Sequence, residues 1–226
     1  MGRARQDIVT GKSLLHVTFR CHNREFYFDS NEVKSLVYKI LLKYKKKHDL
    51  HIFDWVIMSN HVHLLVYAPS RDVLSRYMHS CNLAIAKTIN KIFNKRGQAI
   101  EDRFRSPVIE CQEYALNTVG YIWLNPLRAG MVDRNTIRSY RYSSLYFKLR
   151  GLRDRLVSSY EVLERLLGFD VLQGAKIQEF ALRFLASLLE REFVDDSILV
   201  FEGLHSIGSE NFRMRRRWRR EFRSSA

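Results

Sequence analysis

The feature that most constrains this chain is a pair of short apolar runs, residues 51–58 and 60–67, that meet at Ser59-Asn60. Both runs are rich in β-branched and aromatic residues, and a polar pair between two such runs signals a tight antiparallel hairpin. The second run carries His61 and His63. Residues two apart on a strand share a face, so the two imidazoles project side by side while Val62, Leu64 and Val66 point the other way into a core. Paired imidazoles on a strand are either half-buried histidines with hydrogen-bond partners or two corners of a metal site. Positions 65 and 66 are Leu and Val, so the Asp and further His of the familiar hydrolytic extension are missing. Any remaining ligand must come from elsewhere in the chain.

The other elements follow from hydrophobic period and punctuation. Residues 13–20 read as a first strand, with Arg20 and His22 near its end. Ser30 caps an amphipathic helix over 31–47, in which Val33, Leu36, Val37, Ile40, Leu41 and Tyr44 recur at helical spacing. A longer helix over 71–95 follows Pro69 and ends before Gly97. The segment 100–110 looks like a strand bearing Arg103 and Arg105. The next helix, 112–127, ends at Asn125-Pro126; it buries Ala115, Leu116, Val119, Ile122 and Trp123 and carries a polar stripe of Tyr114, Asn117, Thr118, Tyr121 and Asn125. Tyr121 and Asn125 are four apart and share a helix face.

Strand, helix, hairpin, helix, short strand and helix in that order imply an α+β fold: an antiparallel sheet with helices packed on one face, not a doubly wound parallel sheet. Residues 139–150 form a packing segment, and helices over 159–167, 175–191 and 209–223 complete the chain. The division is therefore a domain over 1–150 and a helical extension over 151–226.

Charge narrows the partner. Net charge is +14 over 226 residues, an excess that favours a polyanion such as nucleic acid. The 213–223 segment holds seven Arg and one Glu; it is either a solvated tail or a phosphate- and base-contacting helix, with Trp218 and Phe222 interleaved. Cys21, Cys81 and Cys111 are widely spaced with no Cys-x-x-Cys, so neither a zinc ribbon nor a disulfide framework is expected, and the usage fits a reducing cytoplasm. A charged amino terminus without an apolar core and the lack of an eighteen-residue apolar run give no signal peptide and no membrane partner.

Met58-Ser-Asn-His-Val-His-Leu-Leu-Val66, Arg103-Phe-Arg-Ser106, Tyr121-Ile-Trp-Leu-Asn-Pro-Leu-Arg-Ala-Gly-Met-Val132 and Ser139-Tyr-Arg-Tyr-Ser-Ser-Leu-Tyr146 occur in this order. The set, with the opening Met1-Gly-Arg-Ala-Arg5 and His16-Val-Thr-Phe-Arg20, resembles the HUH single-tyrosine transposases of insertion sequences, and most of all the REP-associated tyrosine transposases. The resemblance covers residues 1 to about 150.

It implies a ferredoxin-like (RRM-like) HUH fold. It implies Tyr121 as nucleophile, with Tyr114, seven residues earlier on the same stripe, as the rival, and His61, His63 and Asn125 as ligands of Mg²⁺ or Mn²⁺. It implies cleavage and strand transfer of single-stranded, hairpin-bearing DNA through a covalent 5′-phosphotyrosine. Arg103, Arg105, Arg128, Arg215, Arg216, Arg217, Trp218, Arg219 and Arg220 are the candidate DNA contacts. The protein is expected as a monomer or homodimer in the cytoplasm, associated with the nucleoid. The competing readings are a domesticated, inactive single-strand-binding protein and a structural zinc protein, the latter disfavoured by the absence of clustered Cys.

Overall fold

The computed structural model describes residues 13–109, 111–172, 174–190 and 206–207. The sheet is built from β1 (Ser13–Arg20), β2 (His51–Ile57), β3 (His61–Ala68) and β4 (Val108–Ile109), in the spatial order β2-β3-β1-β4. β1 pairs antiparallel with both β3 and β4, and β2 pairs antiparallel with β3. A two-residue strand β5 (Ser206–Ile207) adds to the far edge in parallel with β4, so the sheet is antiparallel except at that margin. With helix α1 (Asn31–Lys45) after β1 and helix α2 (Arg71–Ile92) after β3, the chain traces the β-α-β-β-α-β ferredoxin-like path.

The hairpin forms as its sequence dictates. Met58 N–H donates to the His61 carbonyl at 2.8 Å, which leaves Ser59 and Asn60 at the corner. Ser30 and Ser70 cap α1 and α2 by accepting from the N–H groups of Val33 and Val73, each three residues on.

Helices cover both faces of the sheet, not one. On one face Leu15, Val17, Phe19, Trp55, Val62, Leu64 and Val66 join the apolar stripes of α1 and α2. On the other, Leu14, Phe53, Val56, Leu65 and Tyr67 pack beneath helix α3 (Gln112–Arg128). Helices α4 (Ser144–Leu149), α5 (Tyr160–Leu167) and α6 (Ile177–Glu190) join this second core. Helix α3 is therefore roofed as well as floored. Its Gly120 lies so close to α6 that an added Cβ would sit 3.1 Å from a Leu188 methyl. The stripe expected to be polar is largely buried: Thr118, Tyr121 and Asn125 are all enclosed.

Two expected boundaries shift. Segment 100–110 is not a continuous strand. Bridges pair Thr18 with Arg105 and Cys21 with Ile100, while the chain bulges out between them at exposed Asp102 and Arg103. Helix α3 does not stop at Asn125-Pro126 but runs through Pro126 to Arg128. The proline forfeits one hydrogen bond only a turn from the helix end, where the loss is small. The helix then closes at Gly130, whose φ is +66°.

A bulge in β2 sets up the second core. The β2–β3 register shifts between Ile52 and Asp54, so that Phe53 and Asp54 both face α3. Asp54 is fully buried there. Its carboxylate accepts from Trp123 Nε1 (2.7 Å), Ser144 Oγ (2.6 Å), Lys148 Nζ (2.7 Å) and the Tyr160 hydroxyl. One acid thus ties strand β2 to three helices.

Candidate active site

Strand pairing assembles the site before any helix is added. His61 lies opposite Arg20, His63 opposite Thr18, and Leu65 opposite His16. Directly opposed residues share a sheet face, so His16, Thr18 and Arg20 of β1 stand with His61 and His63 of β3 on the side that α3 covers. The rings of His61 and His63 meet edge to face at 4.8 Å, as the i, i+2 spacing requires. His16 enters as a third imidazole. Its Nε2 is 2.9 Å from His63 Nδ1, and the two rings stack at 5.1 Å.

Helix α3 lowers Tyr121 onto this group. The Tyr121 ring stands edge-on to His63 at 5.4 Å and to His16 at 5.6 Å. Tyr121 is 7% exposed, and Asn125, one turn further along the same helix face, is 8% exposed. Arg128, held on the helix because α3 continues past Pro126, places its guanidinium 5.6 Å from the centre of the Tyr121 ring. Tyr114 is partly buried at the margin of the second core; the tyrosine whose ring meets the histidines is Tyr121.

Burial keeps the inner imidazoles neutral. Desolvation, reinforced by the nearby His61, pushes the His16 pKa down to about 3. Desolvation, with His61, His16 and Arg20 adding to it, holds His63 well below its ordinary range. Neutral imidazole is the form that binds metals. His63 Nε2 is moreover buried with no hydrogen-bond partner, and such an orphan calls for an explanation. A cation is one that suits a ring nitrogen. Among the described residues no group of three or more His, Cys, Asp or Glu side chains is arranged for a metal. A cation at the His61–His63 corner therefore needs a donor of another kind, and the amide oxygen of Asn125 is chemically suited to Mg²⁺ or Mn²⁺.

The basic candidates divide. Arg105 is bridged to Thr18, which lies opposite His63, and its side chain is exposed. Arg103 is exposed on the bulge nearby. Arg215, Arg216, Arg217, Trp218, Arg219 and Arg220, with the helix expected over 209–223, lie outside the described residues. Sequence reading missed His16 as a member of the site. The signal was the alternation of polar His16, Thr18 and Arg20 along an otherwise apolar strand.

A family model described as transposase, IS200-like, matches residues 10–122, a span that holds β1, the histidine hairpin and α3 as far as Tyr121. The chain belongs to the IS200-like transposase family. Membership makes it a DNA-processing protein and agrees with the motif order read from the sequence. Among solved structures it is similar to a REP-associated tyrosine transposase bound to a REP hairpin. That match has 20% identity and a TM-score of 0.54, over 70% of this chain and 92% of the other. The likeness is one of fold. A crystal structure described as a transposase of Deinococcus radiodurans aligns at 17% identity and a TM-score of 0.36, over 51% of this chain and 91% of the other. No curated protein sequence matches. No helix among the described residues is long and apolar enough to cross a membrane.

Proposed function

We propose that this transposase cleaves and rejoins single-stranded DNA beside a hairpin, with Tyr121 as the nucleophile. The observation that carries the reading is the packing of the Tyr121 ring against His63 and His16, which puts a phenol beside paired neutral imidazoles under one helix. The Tyr121 oxygen attacks the scissile phosphorus, and a phosphodiester to tyrosine forms as the bond to the 3′ oxygen breaks. That oxygen leaves as a 3′ hydroxyl, and the 5′ phosphate stays on the protein. A second 3′ hydroxyl reverses the step onto a new end and returns the phenol, with no hydrolysis and no redox change.

His61, His63 and Asn125 would hold Mg²⁺ or Mn²⁺, which when bound supplies Lewis-acid polarisation of the scissile phosphate. The chain's own groups do the rest. Arg128 sits over the nucleophile, and Arg20 and Arg105 add positive charge on β1 and beside it, where a phosphate diester can be oriented. Exposed Phe26, two residues from Arg24, offers an aromatic face on which a flanking base can stack. The REP hairpin bound by the structural neighbour supports hairpin DNA as the substrate class.

The test is a denaturing-gel assay with Mn²⁺ and labelled single strands that carry hairpins. The expected result is a covalent protein–DNA adduct lost in Tyr121→Phe and retained in Tyr114→Phe. Binding of the same strands without any adduct, or an adduct undiminished in Tyr121→Phe, overturns the reading; the former outcome means a single-strand-binding protein without cleavage chemistry.

A further inference from the structure

We infer that Asn60 and His16 are positioning residues that lock His61 and His63 into the tautomer with the proton on Nδ1 and the lone pair on Nε2. The inference rests on the ligand roles proposed above for the two histidines.

The Asn60 half follows from donor and acceptor chemistry alone. Its side-chain Nδ2 donates to the Arg24 carbonyl at 2.9 Å. A carbonyl only accepts, so the amide nitrogen must face Arg24 and the amide oxygen must face the other way. That oxygen lies 2.6 Å from His61 Nδ1. An amide oxygen also only accepts, so His61 Nδ1 carries the proton and the lone pair falls on Nε2.

The direction is enforced from outside the hairpin. Asn23 and Arg24 both hold positive φ, 52° and 57°, the left-handed region that L-residues other than Asn and Asp seldom adopt. The same turn is anchored where Cys21 N–H donates to the Asn60 carbonyl at 2.8 Å. Ser59, the other corner residue, is clamped by donating to Asp29 Oδ1 at 2.9 Å, and its carbonyl accepts from Phe28 N–H at 2.9 Å. The left-handed pair turns the Arg24 carbonyl onto Asn60, and so reads through to a ring nitrogen of His61.

His16 serves His63 in the same way. With the proton on His63 Nδ1, that group donates to His16 Nε2 across the 2.9 Å contact and the buried, partnerless Nε2 of His63 is a lone pair. The opposite tautomer buries an N–H with no acceptor, the rarer kind of orphan in proteins. Metal-bound histidines commonly donate their second ring nitrogen to an outer partner, and loss of that partner costs about 10–100-fold in affinity. Here an amide and an imidazole occupy the places usually held by carboxylates or backbone carbonyls.

Imidazole nitrogen–proton correlation spectra of the metal-free, full-length protein test this directly. Both His61 and His63 are expected as the Nδ1–H tautomer, the one that free histidine disfavours. Mn²⁺ titration then reads the consequence. Asn60→Ala and His16→Phe each weaken Mn²⁺ binding about 10–100-fold. Asn60→Asp and His16→Gln keep an acceptor at the same place and hold binding within a few-fold of wild type.

Nε2–H tautomers for His61 and His63 in the wild type overturn the inference. So does wild-type Mn²⁺ affinity in both Asn60→Ala and His16→Phe. The ligand reading fails separately. If Mn²⁺ does not bind the wild type, or binds equally in His61→Ala and His63→Ala, the metal is elsewhere even where the tautomers are as assigned.

Discussion

Trp123 donates its indole N–H to Asp54 at 2.7 Å, and Trp123 is only two residues from Tyr121. The candidate nucleophile is therefore registered against the sheet by a buried charge on β2, not only by apolar packing. Because Lys148 and Tyr160 share the same carboxylate, helices α4 and α5 help to aim Tyr121 through Asp54 and Trp123.

Removing Asp54 strands the buried ammonium of Lys148. Asp54→Ala is expected to cost about 3–5 kcal/mol of stability in urea unfolding. Lys148→Met should cost less, since the carboxylate keeps Trp123, Ser144 and Tyr160 as donors. Trp123→Phe, which keeps the ring and drops one donor, should cost about 1–3 kcal/mol and slow adduct formation. A larger loss in Lys148→Met than in Asp54→Ala would contradict this account of the network.

Acid should destabilise the metal-free protein above the carboxylate range. Burial lowers the pKa of His16 from 6.5 to about 3, so between those values the unfolded chain binds a proton that the folded one does not. Stability therefore rises with pH through this window and is lost as pH falls from 6.5. His63, lowered chiefly by burial, and His51, lowered chiefly by desolvation and then by Lys45, act in the same direction. The His16 share is on the order of 5 kcal/mol across the full window. Urea midpoints measured from pH 7 to 4.5 should fall, and His16→Gln should flatten the dependence.

Stacking and charge should separate in DNA binding. Phe26 is 67% exposed on the 22–26 loop that Arg24 ties to Asn60. Phe26→Ala should weaken single-strand binding by about 1–3 kcal/mol without changing its salt slope. Arg105→Ala should instead reduce the slope of log affinity against log salt by about 0.7, the share of one phosphate contact on a single strand. Fluorescence anisotropy across a salt series distinguishes the two.

The thiols should differ in reactivity. Burial pushes Cys21 and Cys81 up to about 12, whereas Cys111 is partly exposed at the start of α3. In the native protein Cys111 should be labelled first by a thiol reagent, and the other two only on unfolding.

Local pattern carried much of this protein. The capped helices, the Ser59-Asn60 corner and the same-side placement of His61 and His63 follow from periods of 3.6 and 2 and from turn chemistry, all of which act within a few residues. So does the shared face of Tyr121 and Asn125. Those rules cannot say what covers a face. The period of α3 shows a polar stripe but not that Thr118, Tyr121 and Asn125 on it are buried, with the Tyr121 ring set against His16 and His63 of the sheet. The bulge that turns Phe53 and Asp54 to one side depends on β3 pairing, and the loss of a continuous strand over 100–110 depends on how that segment meets β1. His16 is the clearest case. Alternation along β1 assigns it a face, but only the β1–β3 register sets its ring against His63 and beneath Tyr121. Long-range pairing decides which side chains meet, because strand register and helix docking are settled by contacts between residues far apart in the chain.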